Sequence, residues 1–299
     1  MSLSKNRAEE LIKGFAGELK GEIVQVDSLF LAINTDDKLA CISESTNRLM
    51  ESLQAEQEQV IDGVHCKLCV LTNMNAELVR RNVRWAAPSA AGQAPTQTVS
   101  TDCDVKQLEA LIKQGIKPMF VPNADVEKNY RGFLDKITWW TVQNGYKKGY
   151  SADAGVLKTE EEVVGALVLG YSQLKLDCGS KVNEEIANLS SEEVAQKYAA
   201  LPEDFRSKLE SSYLDQKFKA ADGSKIKFEM PELKRIALTY VEVIVYARYV
   251  HNTYLNNTPW PVDFVVALQG SKTVLTAPAE FLILNELERL GARTKAIMK

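Results

Sequence analysis

Residues 150–177 read YSADAGVLKTEEEVVGALVLGYSQLKLD, and the fold turns on how this stretch is divided. The spacing predicts a short strand at 150–154 and a helix at 159–169 that Thr159 opens and Gly170 closes. An alternating strand follows, Ser172-Gln173-Leu174-Lys175-Leu176-Asp177. Strands joined by a helix in this way run parallel. The same rhythm extends outward. Upstream, Asp102 or Asp104 caps a helix carrying Leu108, Leu111 and Ile112, Gly115 stops it, Lys117-Pro118-Met119-Phe120-Val121 is a strand, and 135–147 is helical. Downstream come a strand at 262–268, a helix from Pro278 to Leu290 and a terminal strand at 293–298. With 83–86 as a first strand, about six core strands are expected. A closed βα barrel needs eight. The expected fold is therefore α/β, a TIM-barrel-like parallel sheet that is incomplete. A doubly wound open sheet is the alternative, without the glycine-rich phosphate loop that usually accompanies it.

Two further blocks flank this rhythm. Residues 1–82 read as a small α/β unit. It has an amphipathic helix over 4–20 closed by Gly21, a hairpin from Glu22 to Ser43 turning at Asn34-Thr35-Asp36-Asp37, and a polar helix at 45–58. A strand around 66–71 then feeds a helix near 75–82. The remainder, 83–299, forms the barrel-like domain. Within it, 86–101 (AAPSAAGQAPTQTVS plus Thr101) is loop-like, a linker or an active-site loop, and 180–258 is a helical insertion. Ser190 and Glu193 have capping-box spacing in that insertion, and Pro231 begins a long helix.

Charge and composition narrow the function classes. With 36 Lys+Arg against 40 Asp+Glu and a net charge of -4, no basic field exists to attract nucleic acid or an anionic membrane. No apolar run is long enough to span a bilayer and no signal-peptide core opens the chain, so a cytoplasmic protein is expected. Five cysteines at irregular spacing are not a disulfide framework. No Gly-x-Ser-x-Gly, phosphate-loop or dinucleotide motif supports a hydrolase, nucleotide or NAD reading.

One set of residues resembles a known family. Thr138-Trp139, Asn144-Gly145-Tyr146, Gly149, Ala152-Asp153-Ala154, Lys158, Glu161, Gly170-Tyr171 and Leu176-Asp177 are similar to the central part of the tagaturonate epimerase (tagaturonate/fructuronate epimerase) family. Leu233, Ala237-Leu238, Tyr240, Asp263-Phe264, Thr276, Pro278, Glu286-Leu287 and Leu290-Gly291 continue it. The resemblance implies a TIM-barrel-like isomerase that inverts a sugar-acid (hexuronate) stereocentre by proton abstraction next to a carbonyl, assisted by a divalent metal. It also implies a longer protein, with further strands and a His-Ser-Gly-Ser-Asp motif that this chain does not reach. The chain departs from the family pattern at several strand ends. Gly155-Val156 stand where an Asp-His pair is found, Ser180 and Lys181 where an Asp and a His are found, and Gln269-Gly270-Ser271 where an Asp-Glu-Thr cluster ends a strand. Ala91-Gly92-Gln93-Ala94 replaces a Gly-Asp-Arg-type loop.

Asp153 and Asp177 are the catalytic candidates, because each lies near the carboxyl end of an expected strand, where a parallel barrel gathers its chemistry. The competing reading is that each caps the turn that follows it. Lys272 and Lys295 could each supply a cation near the mouth, Lys272 being the substrate-binding candidate, and Lys175 alternates with Leu174 and Leu176 on a strand. Trp139, with Trp140, Tyr146 and Tyr150, is a candidate sugar-stacking wall, set against a plain core role. Only His65 and His251 are available as imidazole ligands, neither on an expected strand end, and Cys66 and Cys69 read as buried thiols, so no metal ligands are assigned. Two functions remain: a sugar-acid epimerase, or a catalytically degenerate sugar-binding or regulatory relative. The expected partners are a small sugar acid and either a second copy of the chain or another chain that completes the barrel. The open edge expected of the strand at 293–298 calls for self-association there, or for a cover from the amino-terminal unit or the 180–258 insertion.

Overall fold

The computed structural model describes residues 3–45, 47–122, 130–220 and 223–299. It divides into two compact units, Met1–Gly155 with Ala166–Ser172, and Val156–Gly165 with Gln173–Lys299.

The first unit begins with α1 (Lys5–Ala16), then β1 (Val24–Val26), β2 (Leu29–Ile33), β3 (Lys38–Ser43), α2 (Arg48–Ser52), β4 (Ala55–Ile61), β5 (Val64–Val70) and α3 (Asn73–Asn82). The five strands form an antiparallel sheet in the order β1-β2-β3-β5-β4. Alternation in β2 explains its complete burial. Leu29, Leu31 and Ile33 enter one apolar cluster with Val79 and Val142, while Phe30 and Ala32 enter another with Ala8, Leu11 and Ile12 of α1. Helices therefore cover both faces. Gly17, at φ 83, ends α1 earlier than the expected Gly21. The expected polar helix at 45–58 shrinks to α2. Ala55–Ile61 instead pairs with β5 across Asp62-Gly63, whose φ values of 52 and 80 make the tight hairpin turn that this dipeptide favours.

The barrel-like strands open with β6 (Thr96–Val99), followed by α4 (Val105–Lys113), β7 (Lys117–Phe120), α5 (Tyr130–Gln143) and β8 (Ser151–Leu157); α6 (Glu160–Leu169) comes next. Residues 83–86 are not the first strand. Arg84–Ala86 is a single helical turn whose neighbour Val83 and own Ala86 pack into the first apolar cluster. The true first strand lies inside the segment that reads as a loop. Among the described residues its Thr-Gln-Thr-Val pairs with β7 alone, and Gln97 and Thr98 are exposed, so it carries no core hydrophobicity.

The second unit contains β9 (Gln173–Asp177), α7 (Ser191–Ala199), α8 (Glu203–Tyr213), the short pair β10 (Phe218–Lys219) and β11 (Lys225–Ile226), α9 (Met230–Tyr254), β12 (Asp263–Ala267), α10 (Ala277–Arg289) and β13 (Ala296–Met298). Strand β12 runs parallel between β9 and β13, and all five of its residues are buried. Ser190 and Glu193 form the expected capping box of α7. Hydrogen bonding orders the strands β13-β12-β9-β8-β7-β6, a parallel TIM-barrel-like sheet of six strands among the described residues. No helix among them is long and apolar enough to cross a membrane.

His251, near the end of α9, is buried edge-on against Phe264 at 5.5 Å. Burial lowers its pKa below the ordinary 6.5. The unfolded chain therefore binds a proton before the folded one does. Stability is expected to be full above pH 6.5 and to fall as the pH drops through that value toward the lower folded pKa. Urea unfolding at about pH 7.5 and about pH 5.5 measures this. His251→Gln should flatten the dependence, and an unchanged slope would reject the assignment.

Candidate active site at the carboxyl end of the parallel strands

Strand β9 ends on Asp177, as the alternation predicts, and its partner β12 ends opposite it at Ala267. Both chains then turn sharply together. The Cys178 N–H donates to the Ala267 carbonyl at 2.7 Å. The Asp177 carboxylate accepts the N–H groups of Gly179 at 2.9 Å and Gln269 at 3.2 Å. Gly179 permits this approach, since a Cβ there would lie 1.8 Å from the Gln269 carbonyl oxygen. Asp177 is thus only half-buried and holds two strand-end loops in register.

Lys272 lies in the loop after β12, at the same carboxyl end. Its N–H donates to the Glu184 carboxylate at 2.5 Å, a bond that holds this carboxyl below the usual range. The Lys272 side chain is exposed. Sequence reasoning brings Asp177 and Lys272 to one end of the sheet and misses Glu184, which opens a short 3-10 helix, Glu184–Asn188, too brief for a periodic pattern to mark it.

Asp153 is placed differently from expectation. Strand β8 continues to Leu157, so Asp153 lies within the strand rather than near its end. Gly155 stands inside the strand at a φ of 78, a conformation that glycine adopts without strain. Asp153 is fully buried, and its carboxylate accepts the Gly155 N–H at 2.8 Å. Trp139 is half-buried on α5 in the first unit, where it packs against the apolar cluster of Val142 and Leu31. Trp140, Tyr146, Tyr150 and Phe120 form an aromatic group there, with Phe120 edge-on to Trp140 and Tyr150 and Trp140 tilted against Tyr146, which is a core role for most of the suggested wall.

The remaining candidates resolve on geometry. Lys295 bonds Asp263, the first residue of β12, at 3.1 Å, which places it at the opposite, amino end of the strand. Lys175 is half-buried within β9. Cys66 and Cys69 are three apart on β5 and so enter opposite apolar clusters. They cannot chelate one ion through adjacent side chains. Burial pushes the Cys178 thiol up to about 12, far from a reactive thiolate. Among the described residues, no group of three His, Cys, Asp or Glu side chains is disposed to hold a metal. The donors described here therefore do not fit the divalent metal that the resemblance implies.

Comparisons with known proteins agree with this architecture. The family model for tagaturonate epimerase matches residues 22–298. A tagaturonate/fructuronate epimerase of Thermotoga maritima is 24% identical over 276 residues, covering 89% of this chain and 56% of that protein. A glycerol-complexed crystal structure of fructuronate-tagaturonate epimerase from Cohnella laeviribosi superposes with a TM-score of 0.77 at 25% identity, covering 98% of this chain and 61% of that one. A second such structure, with two glycerols, gives 0.76 at the same identity and coverage. The chain thus spans little more than half the length of the relatives it matches. With the match running through both the antiparallel sheet and the parallel strands, the chain belongs to the tagaturonate epimerase family.

Proposed function

We propose that this protein acts on hexuronate sugars as an epimerase of its family's kind, with the carboxyl end of the β9–β12 pair as its reaction centre. The observation that carries this reading is the pair of strand-end loops there, where Asp177 accepts the Gln269 N–H and Glu184 the Lys272 N–H, in a chain matched to the family from residue 22 to 298. A carboxylate can move a proton, and a nearby ammonium can hold the substrate's carboxylate or an oxygen that gains charge. Asp177 is the proposed acid–base group and Lys272 the substrate anchor. Asp153, buried within β8, is a proposed positioning residue. A cytoplasmic setting and a sugar-acid partner belong to the same proposal.

The test is interconversion of tagaturonate and fructuronate by the purified chain, followed by NMR. Asp177→Asn keeps an oxygen for the Gly179 and Gln269 N–H groups while removing the charge. It is expected to lower turnover by about a hundredfold or more with the fold intact by circular dichroism. Unchanged turnover would reject Asp177 as the acid–base group.

Two observations favour a second reading. Both aspartates already accept backbone N–H groups, and the described donors make no metal site. On that reading the chain binds a sugar acid without turning it over, alone or completed by another chain. Saturable binding of either uronate with no interconversion would select it.

A further inference from the structure

The loop after β12 is built to hold an anion, and a carboxylate of the chain itself already fills it. Gly270 turns the backbone at a φ of 75, and the Ser271 N–H donates to the Leu268 carbonyl at 3.4 Å. The Lys272 N–H then donates to the Glu184 carboxylate at 2.5 Å, and the Thr273 N–H and the Ser271 hydroxyl turn to the same group. The Thr273 N–H also reaches Ser271 Oγ at 3.2 Å, which keeps the loop curled. Successive N–H groups in a turn make a concavity of partial positive charge, and the Lys272 ammonium adds to it. Donors arranged in this way select a carboxylate over a neutral acceptor.

Glu184 comes from another part of the second unit, 88 positions away in the chain, and is only half-buried. Charged contacts at a solvent-facing surface are weak, so this one can open to a competing anion. The loop also lies close to the proposed acid–base group. Gln269, whose N–H donates to Asp177 at 3.2 Å, is three residues before Lys272, so at most about 11 Å of chain separates the two. A six-carbon sugar acid held on the loop by its carboxylate can therefore extend toward Asp177.

We infer that the loop 271–273 is the subsite for the carboxylate of a sugar acid, and that Glu184 occupies it as an internal competitor until the ligand displaces it. The inference rests on the uronate reading proposed above and adds the groups that distinguish a uronate from a neutral sugar. Molecules in which Glu184 fills the loop cannot bind, so the observed affinity is reduced by the fraction that is open.

Backbone N–H signals of the full chain, titrated with D-galacturonate and separately with methyl α-D-galactopyranoside, test the inference. Galacturonate is expected to move the Lys272 and Thr273 signals saturably, and the neutral glycoside to leave them in place. Glu184→Gln keeps the size of the side chain and removes its charge, and should tighten galacturonate about tenfold because the loop is then open in most molecules. Glu185→Gln removes the same charge from the exposed neighbour and should leave the affinity unchanged. Should Glu184→Gln fail to fold, Ser271→Ala takes its place and is expected to weaken galacturonate. No saturable shift at Lys272 and Thr273, an equal shift with the glycoside, no change of affinity in the folded variant, or the same gain in Glu185→Gln would each overturn the inference. Interconversion of tagaturonate and fructuronate is followed in the same samples. Galacturonate binding as expected without interconversion would support the subsite and fail the epimerase reading, whereas interconversion with no gain in Glu184→Gln would fail the subsite alone.

Discussion

Arg80→Ala is expected to destabilise the protein by about 3–5 kcal/mol, the usual cost of removing one partner from a buried ion pair. Arg80 is 7% exposed and Asp135 4%, so the carboxylate left behind would be both buried and uncompensated. Burial already holds the Asp135 carboxyl above its ordinary range, despite the opposing pull of Arg80. Without the guanidinium this pKa rises further. A folded pKa above the unfolded one means that the native state takes the proton first, so the variant's deficit should narrow as the pH falls toward the raised value. Urea denaturation at several pH values measures both effects. The paired change Arg80→Met with Asp135→Leu should recover most of the loss, because a well-packed apolar pair avoids the desolvation altogether. A deficit under about 1 kcal/mol would show that water reaches the site and that the pair is not truly buried.

Gly179→Ala is expected to cost about 3 kcal/mol, at the upper end for forced packing, and to abolish uronate binding at the carboxyl end. The added Cβ would lie 1.8 Å from the Gln269 carbonyl oxygen, a backbone atom that no rotamer change can move aside. Either the turn after β9 or the turn after β12 must then shift, breaking one of the two N–H bonds to Asp177. Gly165→Ala is the control. Nothing lies within 4 Å of a Cβ at that helical position, so the substitution should stabilise by up to about 1 kcal/mol. Thermal unfolding with uronate titration separates the two variants. Comparable midpoints for both would mean that the close approach at Gly179 does not exist.

These two sites also mark how far a one-dimensional reading reaches. The α/β class, the parallel direction of the strands and the positions of β7, β9 and β12 follow from periodicity, because a central strand must be apolar and a covering helix must carry one apolar face. Asp177 at a strand end is legible in the same way. Edge strands are less legible. β6 pairs on one side and is half-exposed, so its Thr-Gln-Thr-Val resembles a loop, and β4 is polar enough to resemble a helix. The Asp62-Gly63 turn was the available mark for β4, since only residues tolerant of positive φ fit a tight hairpin.

By itself the sequence determined the class of fold, the alternation of its central strands and helices, the family and one carboxylate of the candidate site. Local periodicity and turn chemistry act over a few residues and are written directly into the chain. Tertiary structure alone decided that Arg80 meets Asp135 across 55 positions, that Lys272 is tied to Glu184 across 88, and that Lys295 faces the amino end of β12 rather than the site. Each depends on which surfaces of separate elements are brought together, and side chains that far apart in the chain leave no periodic trace of their meeting.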